Sequence, residues 1–196
     1  MPARCFLAID LPPAAVRTLR DVSAAFLEHA PAWAGEKWVR PEILHLTLKF
    51  IGPMPDGAVG PALERLAKVL GPLPRPRTKL SRMRAVPSPR RASMLWATFD
   101  DPDGAAAAIA AAADRVLAAE FGVPSDARAF SPHVTLARAR SPRPVPQDAL
   151  PAAQARLETG PESDREMSVR SCTLYASTLG PDGPAYRSLG TIGLGA

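Results

Sequence analysis

The sequence predicts an α+β fold built on antiparallel sheet, and three observations carry that expectation. Short strand-like runs are interspersed with amphipathic helical stretches, two of the runs are close enough to form a hairpin, and 23 prolines among 196 residues cut the chain into many short elements. A doubly wound parallel fold would call for strand and helix in strict alternation, which the hairpins interrupt. At this length one domain is expected, and a pair of half-size lobes also fits.

The first run, RCFLAID at residues 4–10, alternates in side-chain character as a strand does. LPP then opens a helix in which Val16, Leu19, Val22, Phe26 and Leu27 recur at helical spacing, and Pro31 stops it. KWVRPEILHLTLKFIG reads as one or two strands around Pro41, and PDGAVGPALERLAKVLG as a second helix burying Val59, Leu63, Leu66 and Leu70. TKLSRMRAV and ASMLWATFD are strands separated by PSPRR, which predicts a hairpin. An alanine-rich third helix spans roughly 104–121, with Ile109, Val116, Leu117 and Phe121 placed for burial. RAFSPHVTLARA is again a strand. Residues 141–165 hold five prolines and predict a loop with a short helix near 147–157. MSVRSCTLYAS and AYRSLGTIGL are the last strands, joined through TLGPDGP, whose Pro181-Asp182-Gly183 is a turn signal. The count is about seven strands and three helices.

A formal charge of +5 and a pI near 9.8 favour a polyanionic or phosphorylated partner, and equally suit a merely basic soluble protein. Cys5 and Cys172 are too few for a disulfide framework and form no Cys-x-x-Cys pair; two buried thiols in a reducing cytoplasm are expected. No run approaches the length of a membrane span and no signal segment is evident, so a cytoplasmic protein is expected.

The chemistry is concentrated in a repeat. HLTL begins at His45 and HVTL at His133, using two of the chain's three histidines. Residues two apart share a strand face, so His45 and Thr47 point one way and Leu46 and Leu48 the other; His133 and Thr135 stand likewise against Val134 and Leu136. Facing across a cleft, the strands would offer two imidazoles and two hydroxyls. An imidazole held neutral is a general base and one held charged a general acid, which together suit hydrolysis of a phosphodiester. Threonine hydroxyls can donate to the non-bridging phosphate oxygens. Read singly, either histidine is better explained as a buried group satisfying a core hydrogen bond; the repetition favours catalysis.

Other chemistries fit less well. Neither motif has a further His, Cys or carboxylate at metal-ligand spacing, so neither a metal nor another cofactor is expected. No Gly-x-Ser-x-Gly elbow is present for a serine hydrolase. His29, near a helix end, reads as a surface residue at the negative end of the helix dipole. Five residues after each histidine stand Phe50 and Arg138. In a regular strand Arg138 lies on the face away from His133, although a bulge would turn it toward a phosphate; Phe50 either stacks a base or fills the core, with packing favoured. Arg75, Arg77, Lys79, Arg82, Arg84, Arg90 and Arg91 form an acid-free basic stretch that either guides RNA or is a solvated face, since alternation would split these charges between two sides.

RCFLAIDLP, WVRPEILHLTLKFIG, FSPHVTLARAR and LYASTLGPDGPAYRSLG together resemble the RNA 2′,3′-cyclic phosphodiesterases, also called 2′-5′ RNA ligases, of the two-histidine (2H) phosphoesterase superfamily. The resemblance spans nearly the whole chain. It implies a bilobal α+β fold, two pseudo-symmetric antiparallel sheets flanking a central cleft with helices outside, and residues 1–196 as a single domain of two lobes. It further implies His45 as proton donor to the departing 3′ oxygen, His133 as proton acceptor from water, and phosphate binding by Thr47, Thr135 and Arg138; Phe50 joins them as a substrate-binding candidate on its position alone. The implied partner is RNA with 2′,3′-cyclic phosphate ends, such as tRNA fragments or short oligonucleotides, acted on without metal by a monomer, with ATP-independent 2′-5′ ligation as the reverse reaction. Two other readings stand beside it: an RNA-end-binding module without turnover, and a cyclic phosphodiesterase for a small ADP-ribose-type phosphate.

Overall fold

The computed structural model describes residues 4–180 and 183–195. Among them are β1 Arg4–Asp10, α1 Pro13–His29, β2 Lys37–Trp38, β3 His45–Pro53, α2 Asp56–Leu70, β4 Arg77–Val86, β5 Ala92–Asp100, α3 Ala105–Phe121, β6 His133–Arg143, α4 Ala149–Thr159, β7 Glu166–Ser168, β8 Ser171–Gly180 and β9 Gly183–Gly193. The short helix expected near 147–157 is α4. Strands exceed the expected number because two runs are broken. Pro41 begins a single tight turn that parts β2 from β3. Val169 and Arg170 part β7 from β8: the Val169 amide bonds to Pro76, and the Arg170 carbonyl to Leu194. Gly180 pairs with Gly183 across the last hairpin, but Pro181 and Asp182 of its expected turn lie outside the described residues.

All strand pairs are antiparallel, in the order β7-β4-β5-β6-β3-β1-β8-β9, with β2 beside β6. The sheet narrows to a single residue pair, Leu46 with Val134, between β3 and β6. It therefore divides into a β3-β1-β8-β9 half and a β6-β5-β4-β7 half, and the expected pair of sheets is joined through the second residue of each His-x-Thr-Leu.

α2 and α3 lie on the first half, against β9 and β3, while α1 and α4 pack together on the second. α1 follows β1 in sequence but serves the other half, where Phe26 meets the rings of Trp33 and Trp38. Each half thus needs both ends of the chain. α1 ends at His29 ahead of Pro31, as expected. α3 is held at its start by the Asp101 carboxylate, which accepts the Ala106 and Ala107 amides at 3.2 and 2.9 Å. It stops at Gly122, whose φ of 65° is left-handed backbone that glycine adopts without strain. The core runs between helices and sheet through Leu7, Ile9, Leu19, Phe26, Leu46, Leu66, Leu95, Ile109, Val134 and Leu174. In α2, Leu66 and Leu70 are fully buried, whereas Val59 and Leu63 are only half-covered. Cys5 and Cys172 are both buried.

Candidate active site

The two motifs begin their strands, and the Leu46–Val134 pair crosses them at their centres. In an antiparallel crossing centred there, each histidine is set toward the threonine of the other motif. Leu46, Leu48, Val134 and Leu136 are buried while His45, Thr47, His133 and Thr135 are half-buried, so the expected division of faces is found. The Thr47 and Thr135 hydroxyls make no hydrogen bond among the described residues.

Beyond the threonines the strands do something alternation does not predict. Along β3, Thr47 is opposite Ala8 and Lys49 opposite Leu7, leaving Leu48 as an extra residue. Along β6, Thr135 is opposite Trp96 and Ala137 opposite Leu95, leaving Leu136 extra. Both motifs thus carry a β-bulge at their fourth residue, which shifts the side-chain phase by one. Lys49 and Ala137 go under the helices, and Phe50 and Arg138 emerge on the histidine side. Arg138 is therefore with the histidines, as a bulge allows and a regular strand does not. Phe50 is 64% exposed and 6.4 Å from the Phe6 ring, which corrects the expectation that it fills the core. Lys49 is 1% exposed and bonds Asp114 at 2.5 Å and the Pro124 carbonyl at 2.8 Å, with Asp126 at 3.1 Å.

The imidazoles are held identically. His45 Nδ1 lies 2.8 Å from the Ile43 carbonyl and His133 Nδ1 2.8 Å from the Ser131 carbonyl. A carbonyl only accepts, so each Nδ1 carries the hydrogen and each Nε2 is left to exchange a proton. Burial is the main cause holding both histidines below the ordinary imidazole range, opposed by those backbone bonds and reinforced by the Arg138 charge. His45 also feels His133, which lowers it, and Asp10, which raises it. Asp10 is the cross-strand partner of His45, and no carboxylate is among the charges acting on His133. Here the two copies cease to be equivalent.

Asp10 was not among the expected site residues, and neither were the aromatic groups around the histidines. The Tyr175 hydroxyl donates to Asp10 Oδ1 at 2.6 Å, and Thr173 Oγ1 to Oδ2 at 3.0 Å. Burial, then this contact with the carboxylate, push Tyr175 up to about 12, so it remains a donor. His45 lies against Phe6 at 4.8 Å and edge-on to Tyr186 at 5.2 Å. Burial pushes Tyr186 up while Arg138 lowers it. Trp96 stacks on His133 at 3.8 Å. The only sequence signal for these groups was parity along their strands, which does not say which face meets which. His29 is exposed at the end of α1 and takes no part. No three His, Cys, Asp or Glu side chains converge as metal ligands among the described residues, and no described helix is long and apolar enough to cross a membrane.

Two imidazoles with available Nε2 atoms, two unengaged hydroxyls and a guanidinium on one face are the equipment of a phosphoesterase. The sequence matches the LigT like Phosphoesterase family over residues 9–96 and 101–186, and the chain belongs to that family. A protein of Aeropyrum pernix named RNA 2′,3′-cyclic phosphodiesterase is 31% identical over 153 residues, covering 78% of this chain and 83% of that relative. A relative of the same name in Archaeoglobus fulgidus is 27% identical over 187 residues, covering 95% and 97%. Among solved structures, TT0787 of Thermus thermophilus has a TM-score of 0.73 and 26% identity over 98% of both chains.

Proposed function

We propose that this enzyme hydrolyses 2′,3′-cyclic phosphate ends of RNA to 2′-phosphomonoesters by acid–base catalysis between its two histidines, without a metal ion. The observation that carries the proposal is the matched pair of Nδ1–H···O=C bonds at His45 and His133, which turns both imidazoles into Nε2 proton carriers on one face. The names of the relatives supply the substrate class.

Neutral His133 takes a proton from water through Nε2 as the water oxygen bonds to phosphorus. The bond from phosphorus to the 3′ oxygen breaks, and protonated His45 gives that oxygen its Nε2 proton. Asp10, beside His45 alone, favours the charged form there and so supports His45 as donor. Thr47 and Thr135 donate to the non-bridging oxygens, and Arg138 offsets their charge. Phe50 gives the terminal base an aromatic face. Trp96 keeps the His133 ring in plane. With a 5′-hydroxyl in place of water, the same steps would open the cyclic phosphate into a 2′-5′ linkage, His133 taking the hydroxyl proton and His45 protonating the departing 3′ oxygen, and the bond energy of the cyclic phosphate removes the need for ATP.

The test is incubation of RNA ending in a 2′,3′-cyclic phosphate with the protein in EDTA, followed by identification of the new end. A 2′-phosphate is expected, with His45→Ala and His133→Ala each slowing turnover by about 10² or more. A 3′-phosphate would reverse the leaving group, full activity in both variants would remove the histidines from the chemistry, and tight RNA binding without product would leave an end-binding module.

A further inference from the structure

Cross-strand register carries the two motif residues of β6 outward across the second half of the sheet. His133 is opposite Thr98, which is opposite Arg82; Thr135 is opposite Trp96, which is opposite Arg84. Directly opposed residues share a face, so both arginines project from the side that bears the catalytic groups. They stay in phase with Arg77 and Lys79 because Ser81 is an extra residue between Leu80–Phe99 and Arg82–Thr98. The expectation that alternation divides these charges between two faces is therefore corrected: Leu80, Met83 and Ala85 are buried, while Arg77, Arg82 and Arg84 are exposed and Lys79 is partly so.

The four charges differ in what neutralises them. Arg77 pairs with Asp103 at 3.2 Å and Lys79 with Glu162. Arg82 and Arg84, the two in line with the motif, have no side-chain hydrogen bond or ion pair among the described residues. Between Arg84 and Thr135, the buried Trp96 Nε1 likewise has no partner among them. The opposite wall is different in kind, with Phe50, Phe6 and Tyr175 in register across β3, β1 and β8. One wall offers aromatic faces and the other unpaired guanidinium groups.

We infer that Arg82 and Arg84 form a second phosphate subsite, which holds the RNA backbone one or two nucleotides from the cyclic end and makes the enzyme selective for oligonucleotides over mononucleotides. The inference rests on the proposed activity and names the substrate class within it. With strands about 4.8 Å apart, β4 lies roughly 10 Å from β6, beyond the reach of a mononucleotide's own phosphate but within that of its neighbours. A small ADP-ribose-type cyclic phosphate would not engage both positions.

The experiment compares kcat/KM for a 2′,3′-cyclic mononucleotide and a short RNA with the same terminal nucleotide, in wild type, R82A/R84A and R82K/R84K. Wild type is expected to favour the RNA by about tenfold or more. The alanine variant should lose most of that preference through KM, the loss confined to the RNA, and the lysine variant should regain part of it. The slope of log KM against log salt should fall by roughly 1.4 in the alanine variant, for two phosphate contacts at about 0.7 each. Equal rates on both substrates in wild type, or an alanine variant that keeps its preference, would overturn the subsite, as would an equal loss on both substrates. If wild type cleaves neither, the proposed activity fails separately. Fluorescence anisotropy of a 3′-phosphorylated RNA then decides the subsite: about tenfold weaker binding by R82A/R84A supports it, and unchanged binding rejects it.

Discussion

Replacing Asp10 with Asn removes a negative charge from beside His45 while keeping the shape of the strand end. Asn retains an acceptor for the Tyr175 hydroxyl, and Thr173 can accept from the new amide. Asp10 and His45 are directly opposed across β1 and β3, which places carboxylate and imidazole about 6 Å apart. At that distance 332/(εr) gives about 0.7 kcal/mol at an effective ε of about 80 and about 1.4 at about 40. That is about half to one pH unit on His45. Asp10 raises His45, so its removal lowers it. In wild type both histidines lie below the ordinary imidazole range, so the maximum of kcat/KM is expected on the acid side of neutrality. Its acid limb belongs mainly to His133, which must be neutral, and its basic limb to His45, which must be charged; the pair titrates jointly. In Asp10→Asn the basic limb should move down by about half to one unit and the acid limb should stay, with a three- to tenfold loss on the basic side. Initial rates on a cyclic-phosphate-ended RNA from pH 4.5 to 8.5 at constant ionic strength measure this. An unmoved basic limb, or a shift of the acid limb instead, would refute the assignment of donor and acceptor.

Two further outcomes are expected. Phe50→Ala should leave the urea midpoint nearly unchanged, because the ring is exposed, while raising KM for RNA by an amount equivalent to about 1–3 kcal/mol of base stacking; a large stability loss with unchanged KM would return Phe50 to a packing role. Asp114→Asn should destabilise the fold by about 3 kcal/mol near neutral pH, since it weakens the partner of the buried Lys49 ammonium. The Lys49 hydrogen bond holds Asp114 below the usual carboxylate range. Its contribution is thus present above the usual carboxylate pKa and lost as pH falls through the depressed one. Wild type should lose more stability than Asp114→Asn on acidification from about pH 5, and parallel pH slopes in urea denaturation would count against the pairing.

The local pattern of this chain was legible wherever it depends on neighbours in sequence. Alternation in RCFLAID, helical spacing from Val16 to Leu27 and the stop at Pro31 each found their element, and the repeated His-x-Thr-Leu set the polar groups on one face. Legibility ended where a side chain's direction depends on the partner strand. Arg138 reads as pointing away from His133, and Arg82 and Arg84 as split from Arg77 and Lys79, because bulges at Leu136 and Ser81 arise from pairing register. Phe6, Trp96, Tyr175 and Tyr186 come from four different strands, and each alone is an ordinary strand residue. Asp10 looks like the end of a strand until β3 brings His45 beside it. The crossover of α1 to the other half is likewise invisible to periodicity, which reports which face of a helix is apolar but not what covers it.

The twin bulges turn the spacing of the motif into a matter of frame. Counted along an unbroken strand, the fifth residue after a histidine falls on the wrong side; at Leu48 and Leu136 the count slips by one and falls right. Removing Leu136 would leave every functional side chain in the sequence and shorten the strand by a single step. Arg138 would nevertheless stay with the histidines, now the fourth residue after His133 in regular alternation, and Ala137 would stay beneath the helices. One residue added to the same segment with no second bulge would instead exchange surface for core, so the spacing between His133 and Arg138 is constrained by parity and the bulge together more tightly than by reach.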